Sequence, residues 1–140
     1  MKKNFLFLSL VIIFIGISGC EQKGCTDPKA LNVNFDAKKD DGSCKYSKVT
    51  FYQSAAYLGG ITIKKVSVTV NGVSVGETAG FWPSGPGNCT ATGTVPYEFT
   101  NGNSIDWNAV ITLVSGGVFY SSGTVAPNSS STCIKINVTP

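Results

Sequence analysis

The stretch Val66-Ser67-Val68-Thr69-Val70-Asn71-Gly72-Val73-Ser74-Val75 leaves its part of the chain little conformational choice. β-Branched apolar residues alternate with small polar ones on both sides of an Asn-Gly pair. That alternation fits strands with one buried face, and Asn-Gly supplies the positive φ needed at both central positions of a two-residue hairpin turn. The pattern extends from Lys48 to the C-terminus, with turn signals about every ten residues, and predicts an all-β domain.

Seven strands are expected. Val49–Phe51 starts the first. Ile61–Ile63 and Val66–Val70 make the second, with a phase switch at Lys64-Lys65 that predicts a bulge. Val73–Val75 is the third and Thr94–Thr100 the fourth, with Val95, Tyr97 and Phe99 on one face. Ser104–Ser115, Phe119–Val125 and Cys133–Val138 complete the set. Seven strands in about 90 residues suggest an antiparallel β-sandwich. Its expected core is Phe51, Val68, Val70, Tyr97, Phe99, Trp107, Ile111, Ile134 and Ile136. That core is adequate for the domain's size rather than generous.

Chemistry is scarce in this domain. Residues 48–140 contain only Lys48, Lys64, Lys65, Lys135, Glu77, Glu98 and Asp106 as charged residues, and the whole chain has no His and no Arg. Without His, neither a Ser-His-Asp relay nor a Cys-His pair forms. Zinc loses its commonest nitrogen ligand. No phosphate-cradling Gly-rich loop occurs. The chain is expected not to be an enzyme; glycosidase-like work by Glu77 and Glu98 is the least implausible exception. Without Lys2 and Lys3 the net charge falls from +3 to +1, and a near-neutral chain without Arg argues against nucleic acid as a partner.

The N-terminus carries Lys2-Lys3, then an apolar run from Phe5 to Ile17 broken only by Ser9 and Gly16, then Ser18-Gly19-Cys20. At about 1.5 Å per helical residue the run is too short for a ~30 Å hydrocarbon core, so a cleaved export signal fits better than a span. Ile17-Ser18-Gly19-Cys20 resembles the lipobox of bacterial lipoproteins. The resemblance implies diacylglycerol on the Cys20 sulfur, cleavage of residues 1–19 and acylation of the new amine. Two or more acyl chains are what stable anchoring requires. The expected location is the bacterial cell envelope, with the outer membrane favoured and the periplasmic or surface side left open. Residues 20–23 form a tether, and about 120 residues remain after cleavage, enough for one domain and a small appendage.

Four cysteines remain besides Cys20, an even number in an exported chain, and two disulfides are the natural expectation. Three connectivities are open; sequence order favours Cys25–Cys44 and Cys89–Cys133, each within its own unit. The first pair brackets a small Asp-rich module over residues 24–47, ahead of the sandwich at 48–140. The module is too poor in apolar residues to fold alone. A bridge closing about 20 residues stabilises it by roughly 3 kcal/mol, and one closing about 45 contributes roughly 3–4 kcal/mol in the domain that follows.

Gly24-Cys25-Thr26-Asp27, Ala30-Leu31-Asn32 and Asp40-Asp41-Gly42-Ser43-Cys44 resemble a short repeat module of secreted and surface proteins of environmental bacteria. The middle departs from it: Val33 stands where an aromatic is usual, and Phe35 is expected to supply the packing. The resemblance implies extracellular exposure and little about activity. Asn32, Asn34, Asp36, Asp40 and Asp41 form an oxygen-rich cluster suited to Ca²⁺, a hard ion taking 6–8 oxygens. It is not an EF-hand, since Ala37 and Ser43 stand where Gly and Glu would be needed. The competing reading is a disulfide-closed turn whose Asp and Asn side chains cap backbone groups. No other cofactor is indicated.

Val68-Thr69-Val70-Asn71-Gly72-Val73-Ser74-Val75-Gly76, with Gly93-Thr94-Val95 and Gly123-Thr124-Val125, resembles small bacterial lipoprotein sandwiches. More weakly it is similar to transthyretin-like, PEGA-type and carboxypeptidase-regulatory-like modules. These are mostly scaffolds, stalks or ligand-presenting units, and they share a frame rather than a site. The expected function is therefore non-catalytic binding, adhesion or structural display, with a glycan or protein as ligand. An assembly subunit pairing through a strand edge is the alternative. Phe81 and Trp82, in the Pro- and Gly-rich loop Gly80–Asn88, are the candidate contact residues, because exposed rings stack on sugar or peptide. The competing role for Trp82 is to fold back over the end of the sandwich.

Overall fold

The computed structural model describes residues 21–140; Cys20 and the expected export signal lie outside the described residues. The described chain is all-β, with ten strands. The small module holds β1 (Lys23–Gly24) and β2 (Lys39–Asp40). The sandwich holds β3 (Lys48–Tyr52), β4 (Tyr57–Leu58), β5 (Ile61–Val70), β6 (Val73–Thr78), β7 (Val95–Glu98), β8 (Ile105–Leu113), β9 (Val118–Val125) and β10 (Cys133–Asn137). All seven expected strands are present. The additions β1, β2 and β4 are two residues each, too short to leave a periodic signal.

One sheet runs β10-β3-β7. The other runs β4-β5-β8-β9, with β6 also paired to β5. The hairpin forms as its sequence requires: Val70 pairs with Val73, and Asn71 and Gly72 take φ of 49° and 80°. The β5–β8 register slips between Ile63 and Lys65, which is the bulge expected at Lys64-Lys65.

The sandwich is not wholly antiparallel, however. β10 lies parallel to β3, with Ile134 beside Val49 and Ile136 beside Phe51. Consecutive strands joined by tight turns must reverse direction. β3 and β10 are separated by the whole domain, and the 126–132 connection first crosses between the sheets, so no turn imposes the reversal. The module is likewise less irregular than expected, because β1 and β2 form a short parallel ladder.

The core lies between the sheets. Val49 and Phe51 come from one side; Val66, Val68, Ala109 and Ile111 come from the other, all with no accessible surface. The Phe51 and Trp107 rings meet across the gap with centroids 5.7 Å apart. Each Val, Ile or Phe among them contributes about 1.5–3 kcal/mol by leaving water. Of the expected core, Tyr97, Ile134 and Ile136 are only partly buried, because β7 and β10 are the margins of the narrower sheet.

Thr50 reveals a second layer. It points away from Val49 and Phe51, yet it too has no accessible surface. The 79–94 connection lies over that outer face. The Trp82 N–H donates to the Gln53 carbonyl at 2.8 Å, Pro86 is fully buried, and Cys89 bridges to Cys133 with Cα atoms 5.5 Å apart. Cys25 bridges to Cys44 at 4.8 Å, so both pairings favoured by sequence order are the ones formed.

The wider sheet overhangs the narrower one at β9. Phe119 pairs with Ile111 and shares its face, but it is 46% exposed while Ile111 is fully buried.

Candidate functional site

The candidate contact loop turns out to be a strapped cover. Trp82 is half-buried, held through its backbone against Gln53. Phe81, its neighbour, stands 50% exposed. Of the two rings, Phe81 is thus the one presented to solvent. The disulfide and Pro86 hold the loop that presents it.

Four of the five side chains of the module's oxygen cluster accept backbone N–H groups within it. Asn34 Oδ1 accepts from the Asp36 N–H at 3.0 Å, Asp40 Oδ1 from Gly42 at 3.1 Å and Asp41 Oδ1 from Ser43 at 3.0 Å. Asn32 bridges the strands of the loop, donating to the Ser43 carbonyl at 2.8 Å and accepting from the Lys45 N–H at 2.7 Å. These are Asx-type turns, the capping role foreseen beside calcium. Hydrogen bonds from Ser43 hold the Asp41 carboxyl below the usual carboxylate range. Among the described residues no group of three or more His, Cys, Asp or Glu is gathered as a metal site would need. Phe35 does not replace the missing aromatic: it is 83% exposed, and Val33 is half-buried instead. Phe35 lies between Asn34 and Asp36, whose mutual turn bond belongs to a bend lying at the module's surface.

A feature the sequence did not disclose is the seam between module and sandwich. Lys29 Nζ donates to the Gly102 carbonyl at 2.8 Å, and the Tyr46 hydroxyl donates to Asp27 at 2.8 Å. A Cβ at Gly102 would overlap the Asp27 carboxylate, so a larger residue there would push that carboxylate aside from its place at the seam. The Lys29 N–H and the Tyr46 hydroxyl lower the Asp27 pKa. Burial, then the Asp27 carboxylate, raises the Tyr46 pKa. Beside the seam opens a cleft of about 570 Å³ lined by Leu31, Tyr46, Lys48, Glu98, Phe99 and Thr100. The Asn101-Gly102-Asn103 turn was the only available signal, and it marks a turn without indicating what rests on it.

The carboxylates of the sandwich are dispersed. Glu77 on β6 meets Lys65 Nζ at 2.7 Å and Ser67 at 2.8 Å, which together lower its pKa. Glu98, on β7 of the other sheet, pairs with Lys48 at 3.4 Å. Asp106 on β8 accepts from the Thr124 hydroxyl at 2.6 Å. Asp106 and Thr124 border a shallow polar hollow of about 520 Å³ on the outer face of the wider sheet, with Thr69, Asn108 and Ser122. No protein-family model, curated protein or solved structure matches the chain.

Proposed function

We propose that this chain is a cell-envelope lipoprotein, tethered through acyl chains on Cys20, whose sandwich serves non-catalytic binding, adhesion or display. The observation that carries the reading is the pair of disulfides, Cys25–Cys44 and Cys89–Cys133. Structural disulfides belong to oxidising compartments, so they agree with an export signal ahead of Cys20. Glu77, Glu98 and Asp106 sit on three strands, each with its own partner, which favours display over acid–base catalysis. Of the two rings in the Gly80–Asn88 loop, Phe81 is the one presented to a glycan or protein ligand.

Labelled palmitate tests the anchor. The wild-type protein should incorporate it and sediment with membranes, and Cys20→Ser should do neither. A glycan array tests the contact: Phe81→Ala should abolish a hit, while Trp82→Ala, on the strapped side, should weaken it less. A wild-type protein that takes up no fatty acid removes the anchor and with it this reading. The second reading, an assembly subunit joined through a strand edge, is favoured by the uncovered β9 margin.

A further inference from the structure

The strands at the margins of the two sheets differ in how they treat a strand arriving from outside. β10 carries exposed Lys135 at its centre. β7 contains Pro96, which has no N–H to donate. β6 is set off by a register shift opposite Val68 and Thr69, and its Gly76 lies against Val95 of β7. β4 is two residues long. Charges, prolines, bulges and short length are the devices by which proteins keep sheet edges from pairing. β9 has none of them. It runs eight residues without charge or proline, its pairing to β8 has no irregularity, and its outer edge pairs with no described strand.

The surroundings say what fits. From Trp107 to Ile134 the sequence contains no charged residue. Asp106, reached from the neighbouring strand, is already held by the Thr124 hydroxyl at 2.6 Å; a strand carrying several charges would find little to pair with along β9 itself, whereas a second β9 brings eight uncharged residues to the edge. We propose that β9 pairs antiparallel with β9 of a second copy of this chain, joining the two wide sheets into one across a two-fold axis at Ser121. This gives the assembly reading its partner, and it stands without the lipid anchor or the Phe81 contact.

The register follows from the faces. Phe119, Ser121 and Gly123 pair with the core-facing Ile111, Ala109 and Trp107 and so share the inner face. Residues opposite one another in a ladder point to the same face, so inner residues must meet inner residues. The two-fold therefore passes through a residue rather than between two. With Ser121 on it, Phe119 meets Gly123 of the other copy and Tyr120 meets Ser122. Gly123 is the one residue of β9 without a side chain, and the Trp107 indole already covers it from the β8 side, 3.1 Å from where a Cβ would stand. The incoming Phe119 ring covers it from the other. Two such edges exchange about eight backbone hydrogen bonds. Because β9 is the one unguarded edge among the described residues, the pair closes as a dimer instead of growing into a filament.

The test uses the full chain as the cell produces it, whether or not it sediments with membranes. Ser121→Cys should give a reducible cross-link at twice the chain mass, and Ser115→Cys, in the turn before β9, should give none. Native mass should be dimeric for the wild-type protein. Tyr120→Lys, at a site 73% exposed and off the core, should weaken dimerisation at least about tenfold by putting two lysines on the shared edge. A Ser121→Cys protein that stays monomeric, or that cross-links into a ladder, overturns the proposal. Cross-linking to a different polypeptide also overturns it, but leaves an assembly through β9 with another partner. If Ser121→Cys is not recovered, the wild-type mass decides: a monomer overturns the proposal, and a dimer that Tyr120→Lys dissociates upholds it.

Discussion

The module at residues 24–47 and the sandwich behind it are held by different forces. The sandwich buries continuous apolar faces, with Val49, Phe51, Val66, Val68 and Ile111 fully sealed from water. The module buries almost nothing apolar beyond Cys25 and Ala30. Its order comes from one disulfide, a set of Asx turns and the seam along Gly102. A region with a core tolerates the loss of a surface bond, whereas a region made of surface bonds depends on each of them.

The comparison breaks most visibly at its strongest point. Phe51→Ala removes a fully buried ring packed on Trp107, and should cost about 3–5 kcal/mol of sandwich stability. That is a large part of what a domain of this size has, and thermal unfolding should register it as a much lower midpoint. Phe35→Ala, at 83% exposure in the module, should leave the midpoint where it was. Equal losses would mean that Phe35 packs after all.

The disulfides sharpen the contrast next. Replacing Cys89 and Cys133 with Ala frees a link spanning a separation of 44 residues and should lower global stability by roughly 3–4 kcal/mol in the entropic account. Replacing Cys25 and Cys44, with a separation of 19, removes roughly 3 kcal/mol, but from the module alone. Hydrogen exchange should then rise across residues 24–47 while β5 and β8 keep their protection. Loss of protection in β8 from the second replacement would mean that the module braces the sandwich rather than leaning on it.

What could be read in advance divides along the same line. The strands followed from periodicity because one buried face imprints a period of two on Val66, Val68 and Val70. The cysteine pairing followed because each bridge stays inside its unit. The β3–β10 parallel pairing left no local mark, since it depends on how the 126–132 connection crosses between sheets. The same holds for Phe35 and Trp82. An aromatic in an irregular segment has no neighbour in sequence that decides its burial, and the two proved to be respectively exposed and strapped down. The seam is the extreme case: Gly102 leaves the room that the Asp27 carboxylate occupies, and nothing near Gly102 in sequence says so.

Acid should act on the seam before it acts on the core. The Asp27 pKa is lowered in the folded chain by the Lys29 N–H and the Tyr46 hydroxyl. Such a carboxylate stabilises the folded form above its unfolded pKa, and the contribution is lost as pH falls through the folded value. Cleavage of residues 24–47 by a protease active in acid should therefore accelerate below the ordinary carboxylate range, ahead of any change in sandwich fluorescence. Gly102→Ala should produce the same loosening at neutral pH, because its Cβ meets the Asp27 carboxylate. If acid opens both regions together, the seam is not a separate joint.

Calcium should have the smallest effect. A ligand that binds only the folded form stabilises it by about 2.7 kcal/mol at a hundred times its dissociation constant, and by almost nothing well below that constant. To gather Asn32 and Asn34 together with the carboxylates of Asp36, Asp40 and Asp41, the ion would have to draw the two amide oxygens away from the backbone N–H groups of Lys45 and Asp36. Each lost bond costs about 1 kcal/mol, and more where the orphaned N–H is shielded from water. The ion's attraction for three carboxylates must exceed that sum before any net affinity remains. Millimolar calcium should accordingly shift the module's protease resistance and the melting midpoint by less than about 1 °C. A shift of several degrees that EDTA reverses would show the turns rearranging around the ion, and would give the module a metal fastener of the kind its oxygen-rich sequence first suggested.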